Sequence, residues 1–175
     1  MKYVGMFIRK LLRFELKPMS FLPALVVMYL ITSFSAQDGV TSSQLSGQVS
    51  DGIVAVVNEK MDLGFSEEQV AEISEKIEHY VRKLGHVTEY FVLAVSVAFP
   101  LYVYGVRGIA LMLVAGVFCV GFAGLDEYHQ SFVAGRCPSK KDVLIDSIGV
   151  FIGIIVTRIV GWTGRKTIFR PLAKK

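Results

Sequence analysis

Four apolar stretches determine what this chain can fold into. They run approximately over residues 18–35, 84–104, 108–125 and 143–162, and a helix needs roughly 20 apolar residues to cross the hydrocarbon core of a bilayer. Hydrophobic residues make up 53% of the 175 residues, which is more than a soluble domain usually carries. The sequence therefore predicts an all-α integral membrane protein: a four-helix bundle that forms one domain over residues 1–175.

The first stretch is open to a second interpretation. Pro23 interrupts it, basic residues precede it, and Ser33 and Ser35 are small residues of the kind that a signal peptidase accepts. We favour a retained membrane span over a cleaved signal peptide.

Positive charges lie mainly at the two ends of the chain. Residues 1–17 contain five Lys or Arg and one Glu, and residues 158–175 contain six Lys or Arg and no acid, whereas the connection between the first two stretches is acidic. By the positive-inside rule, both termini face the cytoplasm, and the first and third connections lie outside. The third connection opposes this assignment with Arg136, Lys140 and Lys141, but the two termini outweigh it. Because the basic residues flank apolar runs, we do not expect a nucleic-acid partner.

Residues 37–81, between the first two spans, show helical periodicity without the length of a span. A capping box from Ser66 to Gln69 opens the second of two helices. The first has a stripe of apolar residues at helical spacing: Leu45, Val49, Ile53 and Val57. We predict an extracytoplasmic helical hairpin that packs over the mouth of the bundle or lies on the headgroups. A lid over a site is the alternative.

Charged side chains gather at one end of the predicted bundle. A charge at the centre of a membrane helix costs about 2.5–3.5 kcal/mol on insertion scales, so such residues normally face the bundle interior. Helical spacing aligns the charges of the second span on one face of that helix, and it aligns the charges of the fourth span on one face of its own helix. The third span ends in a further charged cluster. The predicted topology places all of them outside. The candidates are Arg82, His86, Glu89, Asp126, Glu127, Gln130, Arg136, Asp142 and Asp146. On the fourth span, Gly149 and Gly153 continue the charged face and predict close helix packing.

Two functions fit these residues, beside a purely structural ion-pair network. Arg82 and Arg136 suit a phosphate or carboxylate, which favours a non-enzymatic protein that binds an envelope lipid or a lipid-anchored ligand. The carboxylates and a histidine suit an enzyme instead, by acid–base chemistry or with a divalent metal. The candidate catalytic residues are His86, Glu89, Asp126 and Glu127. An ion path has little support, because within spans two to four no ionisable residue continues toward the cytoplasm before Arg158.

The order of these motifs resembles the VanZ-like family. The matching segments are Ser33–Gln37 at the end of the first span, Arg82-Lys83-Leu84-Gly85-His86-Val87-Thr88-Glu89-Tyr90, Asp126-Glu127-Tyr128-His129-Gln130 with Gly135-Arg136, and Asp142 to Asp146. This resemblance implies a bacterial cytoplasmic-membrane protein of the cell envelope, associated with resistance to teicoplanin and related lipoglycopeptides. It implies a lipid-linked cell-wall precursor or a lipoglycopeptide as partner, and it adds Ser35 and Gln37 to the candidate ligand site.

Overall fold

A computed structural model describes residues 18–137 and 139–166 of the chain, and these ranges contain helices and loops but no β-strand. Five helices follow one another: α1 (Leu22–Ser35), α2 (Gly39–Met61), α3 (Glu67–Val103), α4 (Gly108–Gln130) and α5 (Lys140–Lys166). The all-helical fold is therefore confirmed. Residues 1–17 and 167–175, whose charges support the predicted topology, lie outside the described residues.

Three of the described helices are long and apolar enough to cross a membrane, namely α3, α4 and residues Lys140–Gly164 of α5. Helix α1 has 14 residues, or about 21 Å at 1.5 Å per residue, whereas the hydrocarbon core is about 30 Å thick. Pro23 lies in the first turn of α1, where its missing N–H costs no helical hydrogen bond. The four-span bundle stays a prediction.

Helix α3 begins at the predicted capping box. The Ser66 hydroxyl accepts a bond from the Gln69 backbone N–H (3.3 Å), and the Gln69 side chain accepts one from the Ser66 N–H (2.9 Å). The helix then continues for 37 residues, so the end of the predicted insertion and the second predicted span form one uninterrupted helix.

Helix α2 packs beside the first turns of α3 through a serine-rich face. Ser46, Ser50 and Val54 are its buried residues. Across the connecting turn, the Asn58 side-chain amide donates to the Phe65 carbonyl oxygen and accepts a bond from the Phe65 N–H. The predicted apolar stripe lies on another face, where each member is more than 40% exposed: Leu45, Val49, Ile53 and Val57. The contact between α2 and α3 therefore leaves that stripe open.

Close packing of α5 on α3 holds the bundle together. A side chain on Gly149 would clash with the Val87 carbonyl oxygen, and a Cβ on Gly153 would lie 2.7 Å from the Phe91 carbonyl oxygen. This confirms the close approach that the two glycines predict. Fully buried side chains fill the space toward α4: Tyr90, Leu93, Leu111, Cys119, Val150 and Ile154.

Candidate functional site

A polar cavity of about 240 Å³ opens where α3, the end of α4 and the start of α5 meet, beside the first residue of α2. We call it the charged pocket. Seven residues singled out in the sequence line it: Arg82, His86, Glu127, Gln130, Arg136, Asp142 and Asp146. The helices thus bring together charges that are up to 64 residues apart in the chain.

Asp126 lies in a buried hydrogen-bonded cluster beside the charged pocket. Its Oδ2 accepts a bond from the Ser35 hydroxyl (2.7 Å) and another from the Gln130 amide (3.0 Å), which also donates to Ser35 (3.2 Å). All three side chains are buried. The cluster ties the end of α1 to the end of α4, and the second carboxylate oxygen of Asp126 has no partner among the described residues.

Glu127 points away from that cluster, although it follows Asp126 directly. Its carboxylate accepts a bond from the Ser139 backbone N–H at 2.5 Å. Ser139 immediately precedes α5, so Glu127 fixes the position of the loop from which α5 begins.

Arg136 reaches the charged pocket from the loop between α4 and α5. Its guanidinium donates to the carbonyl oxygens of Gln37 (3.2 Å) and Phe34 (3.4 Å), at the end of α1. Gln37 therefore contacts Arg136 through its backbone. Burial, followed by the positive charge of Arg82, lowers the pKa of Arg136, but an arginine stays protonated in proteins.

A backbone contact positions this loop. The Gly39 N–H donates to the Ala134 carbonyl at 3.1 Å, and a side chain on Gly39 would clash with the Gly135 carbonyl oxygen. Gly135 has a φ of 71°, in the left-handed region that favours glycine. Glycine is thus required on both sides of the contact that holds Arg136 at the pocket.

Arg82 links α3 to α2. Its guanidinium donates to the Ser43 hydroxyl at 2.9 Å and lies 3.8 Å from the Glu78 carboxylate, which also accepts a bond from Ser46. The adjacent Lys83 forms an ion pair with Asp142 at 2.5 Å. Lysine, and not one of the candidate arginines, therefore neutralises Asp142.

Two side chains of the charged pocket have unused hydrogen-bonding capacity. Nδ1 of His86 lies 3.7 Å from the Glu89 carboxylate, too far for a hydrogen bond, and has no other partner among the described residues. Asp146 is 4% exposed, and no hydrogen bond or ion pair within 18–137 and 139–166 involves its side chain. Both side chains therefore hold polar atoms that no described residue bonds.

An apolar groove of about 280 Å³ adjoins the charged pocket. The two cavities share Arg82, His86 and Arg136, while Gln37 and Glu89 line the groove only. The apolar walls come from α1, α2 and α3: Phe34, Leu45, Val49 and Val81. A polar space and an apolar space therefore meet at two arginines.

Five residues that line the charged pocket were not among the candidates: Gly39, His79, Lys83, Gly135 and Cys137. His79 and Lys83 precede His86 at helical spacing, and that periodicity could have identified them. Ser35 and Asp126 lie outside the pocket lining. Within the described ranges, no three His, Cys, Asp or Glu side chains are grouped so that they could hold a metal ion.

The comparisons with known proteins agree with the motif order. A family model described as VanZ/LLP1 matches residues 20–161, a range that contains every residue of the charged pocket. The chain matches no curated protein and no solved structure.

Proposed function

The chain belongs to the VanZ/LLP1 family of envelope proteins, and from this premise we propose that it binds a phosphate-bearing envelope lipid or a lipid-anchored ligand in its charged pocket. The family and the three candidate spans make it a membrane protein. We place it in the bacterial cytoplasmic membrane as a single domain, with both termini in the cytoplasm and the pocket outside, because the terminal segments are basic. In this arrangement α1 belongs to the first span, and α2 with the start of α3 forms the extracytoplasmic hairpin.

The observation that supports this function is the junction of the charged pocket and the apolar groove at Arg82 and Arg136. A guanidinium binds phosphate through two parallel hydrogen bonds, and a pair of them favours a dianion or diphosphate. The groove beside them accepts hydrocarbon. A ligand with an anionic head on an apolar chain fits both spaces at once.

The other charges of the pocket refine the class of ligand. Lys83 neutralises Asp142, and Glu127 accepts a backbone N–H, so these groups are already engaged. Asp146 remains as an acceptor for a ligand. A head that carries phosphate together with hydroxyl or amide donors, such as that of a lipid-linked cell-wall precursor, suits this arrangement.

Binding of this kind would account for a role in teicoplanin resistance. Lipoglycopeptide drugs act on cell-wall precursors at the outer face of the membrane. A protein that binds the precursor, or the lipid chain of the drug, would alter the access of the drug to the precursor. We propose that the chain acts in this way and performs no chemistry on its ligand.

A direct binding measurement tests the proposal. The full chain in zwitterionic nanodiscs is titrated with a polyisoprenyl diphosphate, and Arg82→Gln with Arg136→Gln is expected to weaken binding about tenfold or more, since bonds to charged groups contribute about 1.5–3 kcal/mol each. Lys76→Gln is the control, because Lys76 is exposed and pairs with Glu72, outside the pocket. Equal binding by the wild-type chain and the double variant would refute the proposal.

The second candidate is an enzyme that acts on the same kind of lipid. The unpaired Nδ1 of His86 and the unpaired Asp126 oxygen favour it, since acid–base catalysis needs groups that are free to exchange a proton. The test is release of phosphate from the lipid by the purified chain, with and without added divalent cations. Turnover that Asp126→Asn abolishes would establish catalysis, and no turnover under any of these conditions would leave binding.

A further inference from the structure

The opposite end of the bundle contains a second cavity, of about 460 Å³. It lies where α3 ends, α4 begins and α5 approaches its last turns, and its lining includes Tyr102, Arg107 and Arg158. Tyr102 is 20 residues beyond Arg82 on α3, which corresponds to about 30 Å of helix, the thickness of the hydrocarbon core. The second cavity therefore lies at the membrane face opposite the charged pocket.

Its two arginines have no acidic partner within the described ranges. Arg107 lies over the Tyr102 ring at 5.5 Å, and Arg158 donates to the Met112 sulfur at 2.9 Å, which is a weak acceptor. Residues 90–125 and 147–175 contain no Asp or Glu, so the segments that form this end of the bundle supply no counter-charge. Two guanidinium groups thus face one cavity without neutralisation from these segments.

The start of α4 adds hydrogen-bond donors to the same place. Gly108, the first residue of this 23-residue helix, lines the cavity. The N-cap residue Arg107 makes no side-chain capping bond, so the first N–H groups of the helix remain available to an anion. The helix terminus and the two arginines all favour negative charge.

The rest of the cavity wall is apolar or aromatic. Ile155, Ile159 and Trp162 line it from α5, and tryptophan and tyrosine are the residues enriched at the level of lipid headgroups. We propose that this cavity binds the phosphate headgroup of an anionic phospholipid from the leaflet opposite the charged pocket. The arginines hold the phosphate, and the isoleucines contact the start of the acyl chain. Basic pockets between membrane helices bind anionic headgroups in this way.

The test measures lipid-dependent stabilisation of the full chain. Thermal unfolding is followed in phosphatidylcholine nanodiscs with increasing phosphatidylglycerol, and phosphatidylglycerol is expected to raise the melting temperature of the wild-type chain. The double variant Arg107→Gln with Arg158→Gln is expected to lose most of that rise. Its apparent affinity for phosphatidylglycerol is expected to fall about tenfold or more. If phosphatidylglycerol raised the melting temperature of the double variant as much as that of the wild-type chain, the proposal would be overturned.

Lys140→Gln with Lys141→Gln is the matched control, because it removes two exposed positive charges at the other end of the bundle. It is expected to keep the full rise, and an equal loss in this variant would reduce the effect to general charge attraction and overturn the site. A parallel titration with inorganic phosphate separates the two sources of the anion. Protection by phosphate as strong as by phosphatidylglycerol would overturn the lipid assignment.

The single variant Arg107→Gln keeps the proposal testable if the double variant does not fold. Arg107 is exposed and lies in a connecting segment, where substitution is tolerated. It is expected to lower the apparent affinity for phosphatidylglycerol severalfold, and an unchanged affinity in a folded Arg107→Gln chain would also refute the site.

Discussion

One end of the bundle, at the charged pocket, carries both signs of charge and is called the mixed end. At the other end, around the second cavity, the charged residues that the structure describes are all positive, and we call it the positive end. At the first end Lys83 pairs with Asp142, and Arg82 lies near Glu78. At the second end Arg107 and Arg158 line a cavity to which no Asp or Glu of residues 90–125 or 147–175 can contribute. The first end therefore pairs charges of opposite sign within the chain, whereas the second end presents two arginines without an acidic partner from these segments.

This difference indicates what each end requires from its surroundings. Charge beside hydrocarbon is costly unless it is paired, and the mixed end achieves much of the pairing within the chain. Arg136 and Asp146 form no ion pair among the described residues and Arg82 forms only a long one, so these three remain for a ligand that has both anionic and donor groups. The positive end has no such partner within residues 18–137 and 139–166, so the lipid itself is expected to supply the anion.

The largest expected effect follows from removing one charge at the mixed end. Asp126→Asn keeps the size of a buried side chain that holds Ser35 and Gln130, but it removes a negative charge that acts on Arg136. We predict loss of any resistance phenotype with normal protein in the membrane, and the same for Glu89→Gln at the groove. The measurement is survival on teicoplanin together with quantitation of the membrane fraction.

Glu72→Gln is the control for these two substitutions, since Glu72 pairs with Lys76 on an exposed face of α3. A wild-type phenotype in both Asp126→Asn and Glu89→Gln would show that the charged residues of the mixed end serve only to pack the helices.

The next largest effect separates the two ends by ligand. Arg136→Gln is expected to weaken binding of a polyisoprenyl diphosphate about tenfold and to leave phosphatidylglycerol binding unchanged, whereas Arg158→Gln does the reverse. Native mass spectrometry of both variants with both lipids measures this. Equal losses of both lipids in each variant would mean that the ends do not differ in what they bind.

A smaller effect concerns the helix contact that joins the ends. Gly149→Ala places a methyl group against the Val87 carbonyl oxygen, and overpacking of this kind costs about 1–3 kcal/mol of unfolding free energy. Gly121→Ala, on α4 where nothing lies within 4 Å, is expected to gain about 0.5–1 kcal/mol instead. Denaturant unfolding in detergent compares the two. A stabilised Gly149→Ala chain would contradict the close contact of α3 and α5.

The smallest effect concerns the cap of α2 at the mixed end. The Asp38 carboxylate accepts a bond from the Thr41 N–H at 2.7 Å, and this bond lowers the pKa of Asp38 below 3.8. The carboxylate therefore stabilises the folded chain above its ordinary pKa, and that stability is lost as the pH falls through the lowered value. Asp38→Ala should destabilise the chain slightly at neutral pH and not in strong acid.

Thermal unfolding at several pH values measures this difference. Asp51→Ala, at an exposed position within α2, serves as the control. A difference between Asp38→Ala and wild type that persists unchanged in strong acid would exclude the carboxylate as its cause.

The sequence was sufficient to predict the three long apolar helices and seven of the twelve residues that line the charged pocket. Apolar length identified α3, α4 and α5, the Ser66–Gln69 box marked the start of α3, and helical spacing aligned Arg82 with His86. These signals are local, because each depends only on residues within a few turns of one helix.

The partners of the charges could not be predicted in the same way. Which basic side chain pairs with Asp142 depends on the rotation of α3 against α5. The neighbouring acids Asp126 and Glu127 accept bonds from different parts of the chain, Asp126 from Ser35 and Glu127 from Ser139. The contact between Gly39 and Gly135 joins the first residue of α2 to a loop residue 96 positions further along the chain. Tertiary packing decides such pairs, and no periodicity in the sequence records it.

Labelling of cysteine from one side of the membrane tests the contrast between the two ends most directly. Of the two cysteines, Cys137 is exposed at the charged pocket and Cys119 is buried, so Cys137 reports on the mixed end in the wild-type chain. A membrane-impermeant maleimide should label Cys137 in intact cells, while Arg107→Cys in a Cys137→Ser background should be labelled only after permeabilisation. Labelling of both positions from the same side, or of Cys137 only after permeabilisation, would contradict the account.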